Sequence, residues 1–405
     1  MTTILILSDY AHVKGGDSKV AILSALGLRQ AGYRVIFFAG VGPIDERLIN
    51  AGIETICLYQ YDLLSNPNRI SAALHGIWNS KSLKTLKKIL LKLDQKQTVI
   101  HIHSVVKSLS PAVYTLLFKY NFKIVTTLHD YFLACPNGSF FHYGLNQICD
   151  IRPLSVKCFQ QNCDSRNYGH KLWRFFRTFI QQYVYKVPSK IPFFITLSNL
   201  SESILRSYLP SSAYIFRLDN PIDISKQPPV DIKEENLFAY IGRVSKEKGI
   251  DLLISIASEL NRKVLIFGDG PLYNYYKKIK TEIEFMGWKN SNELQLVYNN
   301  LRAIIYPSLW YEVQPLVVLE SLAKGVPVVV PDTSAAKELI VNGETGLLFK
   351  GGDSLDLLKK LKLLENTKFA QKLGKAAYYK YWKKPYSLER HIAGLTNIYN
   401  IILNS

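Results

Sequence analysis

Apolar runs of strand length, each followed by a turn and then by a segment of helical period, recur along this chain, and that alternation restricts the fold more than any other feature. Residues 4–7 are apolar without polar alternation, the pattern of a strand covered on both faces. They lead through a loop holding Gly15-Gly16 into a helix pattern over 20–30 that stops at Gly32. A second strand is expected over 34–39, and strands and helices alternate again at 99–103, 111–119 and 123–128. Strands joined through helices run parallel, so the class is α/β.

The pattern restarts further on. Residues 236–242 read as a strand, followed by a basic loop, a helix over 250–260, a strand over 263–267 and the turn Gly268-Asp-Gly-Pro271. The stretch 219–230 between the two halves has three prolines and no helical period, as a connector has. The reading is therefore a first domain over 1–220, a second over 221–382 and a terminal helix over 383–405. A length of 405 residues suits two domains at ~100–200 residues each. Such domains bind ligands at the carboxyl ends of their strands, here in a cleft between the two.

Composition narrows the partners. Fifty Lys and Arg against 32 Asp and Glu leave a formal charge of +18, which implies an anionic partner: nucleic acid, membrane headgroups or phosphorylated substrates. With 48% hydrophobic and 20% charged residues the chain is globular rather than disordered. No apolar run is long enough to span a bilayer, and the first residues lack the form of a secretory signal. A cytoplasmic protein, at most peripheral on a membrane, is the expectation.

The segment from Tyr311 to Glu320 carries the strongest chemical signal. Pro315 is tolerated at a helix start and hardly in its interior, so a helix begins there and runs to Gly325. Glu320 falls within that apolar helix and needs a donor partner, for which ligand hydroxyls are one candidate. Glu312 lies in the preceding loop, and the free amides from Gln314 through Leu316 to Val317 form an anion site between the two acids. The alternative is that both glutamates pair with nearby Lys or Arg. Upstream, Arg243 and Lys248 lie on a strand-to-helix loop, where a guanidinium fork and a mobile ammonium suit a diphosphate. The ordinary alternative there is a solvated loop.

Weaker signals lie in the first half. Gly15 and Gly16 would let backbone amides approach a ligand, although the full dinucleotide spacing G-x-G-x-x-G is missing. His129 and Asp130 follow the end of a buried strand, where His129 is placed to donate to a substrate oxygen or to a backbone group. His101 and His103 alternate on a strand, but no further ligand stands at metal-binding spacing.

Taken in order, these motifs resemble the retaining GT-B glycosyltransferases of the large group 1 family, the Glu-x(7)-Glu type that includes glycogen-synthase-like and lipopolysaccharide enzymes. The resemblance runs over the glycine loop, TLHDYFLACP, TLSNLSESIL, DNPID, GRVSKEKG, FGDGP, YPSLWYEVQPLVVLES and GVPVVVPD. It implies two Rossmann-like domains and transfer of a sugar from a nucleotide-diphosphate sugar to a glycan or lipid-linked glycan, as in lipopolysaccharide or polysaccharide biosynthesis. By the same resemblance Glu312 meets the donor sugar, Glu320 the ribose, and Arg243 and Lys248 the diphosphate. His129 stands near the reacting sugar, and the Gly15-Gly16 loop closes over the phosphates. Pro315 departs from the glycine many members carry, which bears on donor choice. No Asp-x-Asp motif is present to hold a metal, so no metal and no cofactor are expected. A non-catalytic relative that holds an anionic polymer or membrane is the other reading.

Two features stand outside that resemblance. Cys135, Cys149, Cys158 and Cys163 fall within 29 residues, which raises bound zinc, with free thiols as the alternative. Residues 165–201 hold six Lys or Arg, no Asp or Glu, and several aromatics, a composition suited to a membrane interface, to packing or, least, to nucleic acid. A second basic amphipathic helix, 81–93, stripes Leu83, Leu86, Leu90 and Leu93 along one side.

Overall fold

The computed structural model describes residues 1–279 and 282–405. They divide into two compact units, one formed by Met1–Ser139, Asp150–Pro221 and Ser387–Ser405, the other by Phe140–Cys149 and Ile222–Tyr386. Two features of that division differ from the sequence reading. The hairpin of short strands Phe141–His142 and Gln147–Ile148 is grouped with the second unit, and the returning segment begins at Ser387 rather than 383.

The first unit is built on seven strands: β1 (Thr3–Tyr10), β2 (Arg34–Val41), β3 (Glu54–Cys57), β4 (Thr98–Ile102), β5 (Lys123–Thr127), β6 (Phe193–Thr196) and β7 (Tyr214–Arg217). They pair in the order β3-β2-β1-β4-β5-β6-β7, all parallel. The second unit has β8 (Leu237–Ile241), β9 (Val264–Phe267), β10 (Ile283–Gly287), β11 (Leu301–Ile305), β12 (Val328–Pro331) and β13 (Leu347–Phe349), again parallel, in the order β10-β9-β8-β11-β12-β13. In each sheet the order reverses once, beside β1 and β4 in the first and β8 and β11 in the second. Loops leaving the carboxyl ends of those strand pairs diverge and leave a crevice.

Helices α1 (Gly16–Gln30), α2 (Ser80–Leu90) and α3 (Tyr168–Phe179) belong to the first unit, α4 (Leu316–Lys324) to the second and α5 (Leu388–Asn404) to the first again. β1 runs past residue 7 because its polar end is satisfied: the buried Asp9 carboxylate accepts the amides of Lys107, Ser108 and Leu109 at 2.7–2.9 Å. α1 starts four residues before the apolar period does. Ser18 Oγ accepts the amides of Lys14 and Gly15, at 2.9 and 3.1 Å, and so closes its first turn. α5 packs on α1 so closely that a Cβ at Gly27 would lie 2.5 Å from Ile392. Together they bury Ile22, Ala25, Ile392, Leu395 and Tyr399 in one core.

Both basic segments are changed by packing. The stripe on α2 is turned inward, with Leu83, Leu86, Ile89 and Leu90 buried and Lys84, Lys87 and Lys88 outside. On α3, Lys171 is buried against Cys158 Sγ at 3.2 Å, Arg174 pairs with Asp164 at 3.2 Å, and Arg177 lies between the rings of Phe132 and Trp173. With Arg166, which also pairs with Asp164, at 3.6 Å, four of the six cations are engaged within the unit. The outer face keeps its aromatics: Phe176 and Phe179, with Tyr183 in the helical turn that follows, are 52%, 45% and 56% exposed. No described helix is long and apolar enough to cross a membrane. The clustered cysteines do not gather into a metal-ligand group among the described residues, and all five are free of disulfides.

Candidate active site

In the second unit the crevice is made by two loops, Gly242 to Gly249 after β8 and Tyr306 to Pro315 after β11. Gly249 takes φ +73°, and a Cβ there would meet the Pro307 carbonyl at 2.1 Å, so only glycine lets the loops touch. The amide of Leu309 donates to the Glu247 carbonyl at 2.8 Å and adds a second stitch. This contact brings Lys248 to Glu312.

Glu312 is buried, and one carboxylate oxygen collects three donors: the Lys248 ammonium, the Trp310 indole N–H and the Ser308 hydroxyl, the last at 2.8 Å. Lys248 also lies over the Trp310 ring, 5.0 Å from its centre. Burial pushes the Glu312 carboxyl up, but the Lys248 charge and these hydrogen bonds outweigh it and hold the group below the ordinary glutamate range. Of the two cations read for a diphosphate, Lys248 thus shares its charge with Glu312. Arg243, exposed, has no ion pair or side-chain hydrogen bond among the described residues; only its carbonyl is engaged, by Tyr240 at 2.8 Å.

α4 begins where the proline placed it, with Pro315 as cap and Leu316 as first residue, and no side chain caps its amino end. That end therefore keeps its partial positive charge. Gln314, just before it, is buried, and Leu316 is half-buried. Glu320 differs from the expectation of a buried acid: it is partly exposed, on the side of α4 reached by Tyr298, whose hydroxyl donates to it at 3.3 Å.

In the first unit the candidates are spread over three strand ends. Gly15 and Gly16 open α1, but the Lys14 and Gly15 amides already donate to Ser18, so the loop does not offer those donors to a ligand. Gly15 is extended, at φ −166°. Asp17, next along, pairs with Lys107 at 3.5 Å and raises the lysine's pKa. His129 follows β5; its Nε2 meets His103 Nδ1 at 2.9 Å, and burial lowers its pKa to about 4 although Asp17 opposes the shift. Asp130 is pushed up to about 6, chiefly by burial. Asp9, His103, Lys107, His129, Asp130 and Gln181 border a cavity of about 40 Å³. His101 is not a metal ligand here, its nitrogens being held by Tyr399 and Thr127 hydroxyls at 2.6 and 2.7 Å.

Ser308, Trp310 and Tyr298 escaped sequence reasoning, as did Asp17 and Lys107. A serine and a tryptophan four and two residues before Glu312 were signals in plain sight, whereas Tyr298 reaches Glu320 from another helix and leaves no local trace.

Residues 222–380 match the family model for glycosyl transferases group 1. A sulfoquinovosyl transferase of Arabidopsis thaliana is 33% identical over 151 residues, 36% of this chain and 29% of that protein. The first curated relatives are matched over less than half of their own length. Likeness of fold extends over the whole chain. The sucrose-phosphate synthase from Thermosynechococcus elongatus superposes with a TM-score of 0.72 at 17% identity, covering 100% of both chains. The Anabaena protein HepE, solved with UDP and glucose, gives 0.70 at 16% identity over 99% of this chain and 100% of its own. The fold is that of the GT-B glycosyltransferases.

Proposed function

We propose, from the match of residues 222–380 to the family model for glycosyl transferases group 1, that the chain moves a sugar from a nucleoside diphosphate sugar to a glycan or lipid-linked glycan, with retention and without a metal. The observation that carries the reading is the crevice beside β8 and β11: an unpaired guanidinium, an uncapped helix end and a buried carboxylate fixed by Lys248, Ser308 and Trp310. HepE, similar in fold, was solved with UDP and glucose.

In this reading Arg243 and the amino end of α4 take up the charge that grows on the diphosphate as the bond to the sugar breaks. The acceptor hydroxyl adds from the face the diphosphate leaves, and its proton passes to a departing phosphate oxygen. Glu312 accepts from sugar hydroxyls, with its orientation set before substrate arrives, and Glu320 accepts from ribose hydroxyls. His129 donates to the sugar. Leaving-group charge is met by cations and amides, and the sequence lacks Asp-x-Asp, which supports a metal-independent reaction. The exposed aromatics of α3, followed by the exposed Lys186 and Lys190, support a peripheral place on an anionic membrane.

The test is thermal stability with UDP, GDP and ADP in turn, on the wild type and on Arg243→Ala. At ~100-fold excess over its dissociation constant a true ligand adds about 2.7 kcal/mol. One nucleotide should shift the wild type and shift the variant far less. No shift with any of them, together with equal transfer by Glu312→Ala and wild type, would move the chain to the non-catalytic reading.

A further inference from the structure

The bond between His103 Nδ1 and His129 Nε2 is 2.9 Å long, the ring planes differ by 21° and the ring centres are 5.2 Å apart. The contact therefore runs close to both ring planes, as it must when one nitrogen carries the proton and the other offers its lone pair. Burial keeps both rings neutral near pH 7, with His103 held well below the ordinary histidine value. Two neutral imidazoles joined this way have two arrangements. Either His103 Nδ1–H donates, which leaves His103 Nε2 bare and puts the His129 proton on Nδ1, or His129 Nε2–H donates, which forces the His103 proton onto Nε2.

The far nitrogen of His103 decides between them. His103 is 4% exposed, and its Nε2 is buried with no hydrogen-bond partner among the described residues. A buried N–H facing no acceptor is the costlier of the two orphans, so the proton stays on Nδ1. His101 cannot relieve it: its ring centre is 4.2 Å away, but both of its nitrogens are engaged by Tyr399 and Thr127.

We infer that His103 is a positioning residue that fixes His129 as its Nδ1–H tautomer, so that His129 presents a donor and not a base on its outer side. Asp17 and Lys107, the charged groups acting on His129 from α1 and from the loop after β4, pair with each other at 3.5 Å. For catalysis, which rests on the function proposed above, this means that His129 can stabilise a sugar or phosphate oxygen but cannot take the acceptor's proton. The tautomer itself does not depend on that function.

The whole chain, labelled with ¹⁵N at histidine, reports it directly through two-bond proton–nitrogen correlations, with the His129 signals assigned by their loss in His129→Gln. The expected spectrum has His129 protonated at Nδ1 and bare at Nε2, and His103 protonated at Nδ1. His103→Leu should mix the two His129 forms, while His103→Asn, whose amide nitrogen stands where Nδ1 was, restores one. In transfer assays His103→Leu should lower kcat roughly tenfold or more with little change in KM, and His103→Asn should recover most of it. A wild-type His129 protonated at Nε2, or an unchanged His129 pattern in His103→Leu, overturns the inference. The expected spectrum from a chain that transfers no sugar upholds the inference and overturns the functional reading.

Discussion

Glu312 and Arg243 lie in the same crevice with opposite surroundings, and the contrast predicts opposite behaviour on substitution. Glu312 is satisfied from three sides, so Glu312→Gln keeps the shape of the loop but loses the charge that holds Lys248. We expect transfer to fall about 100-fold or more while the melting shift given by the nucleotide is kept. Arg243 has no carboxylate to orphan, so Arg243→Ala should leave the melting temperature alone. It should weaken the nucleoside diphosphate by about 1.5–3 kcal/mol, which titration calorimetry reads as roughly a ten- to hundredfold rise in Kd. Arg302 is the structural counterpart. Fully buried, it donates to the carbonyls of Lys233, Asn236, Leu364 and Glu365 and to Thr367, and so ties the sheet's amino end to the helices behind it. Arg302→Met should cost about 3 kcal/mol of stability in denaturant unfolding without touching nucleotide affinity.

At the scale of elements, the Gly268 turn after β9 tests how tightly the crevice is built. Its φ is +141°, and a Cβ there would lie 1.9 Å from the Gly242 carbonyl, a backbone atom with nowhere to go. Gly268→Ala should destabilise the second unit by about 3 kcal/mol in calorimetry. The outer face of α3 makes the reverse case. Phe176→Ser with Phe179→Ser removes exposed rings, so the melting temperature should hold while flotation with anionic vesicles is lost. Flotation unchanged in that double variant would remove α3 from the membrane reading.

The same elements show what the sequence could tell. The strands, the helix start at Pro315 and the loops bearing Arg243, Lys248 and Glu312 were legible, because apolar runs and proline geometry act locally. Arg302 was not, since Leu301–Ile305 reads as a plain buried strand and its acceptors lie more than 60 residues away. Nor was the fate of the cations on α3, which depends on Phe132, Cys158 and Asp164 from other segments. The engagement of two amides in the Gly15 loop was not legible for a third reason. Ser18, three residues on, is a capping residue, and it takes the Lys14 and Gly15 amides.

For the whole molecule, histidine burial sets the acid limit. His101, His103, His129 and His391 all have lowered pKa values, with His129 and His391 at about 4 against the ordinary 6.5. Below pH 6.5 the unfolded chain takes up protons that the folded chain refuses, so stability falls with pH until about pH 4. Asp130, raised to about 6, and Asp9, also raised, act in the opposite sense, because the folded chain keeps their protons longer. Four histidines outweigh two aspartates, and the melting temperature should drop between pH 6.5 and 4. His391 is buried between Ser24 and the Asp219 carbonyl, so His391→Gln should flatten that slope by up to about 3 kcal/mol.

The first unit is not one stretch of chain. Its sheet is laid down by residue 217, yet the face of α1 that carries Ile22 and Ala25 is covered by α5, which comes only after the second unit. During translation that apolar face stays open while some 165 residues from Ile222 to Tyr386 are made and are free to fold among themselves. The ribosome thus delivers the domains in one order and completes them in the other. A nascent chain stalled before α5 should present a finished second unit beside a first one still dependent on chaperones.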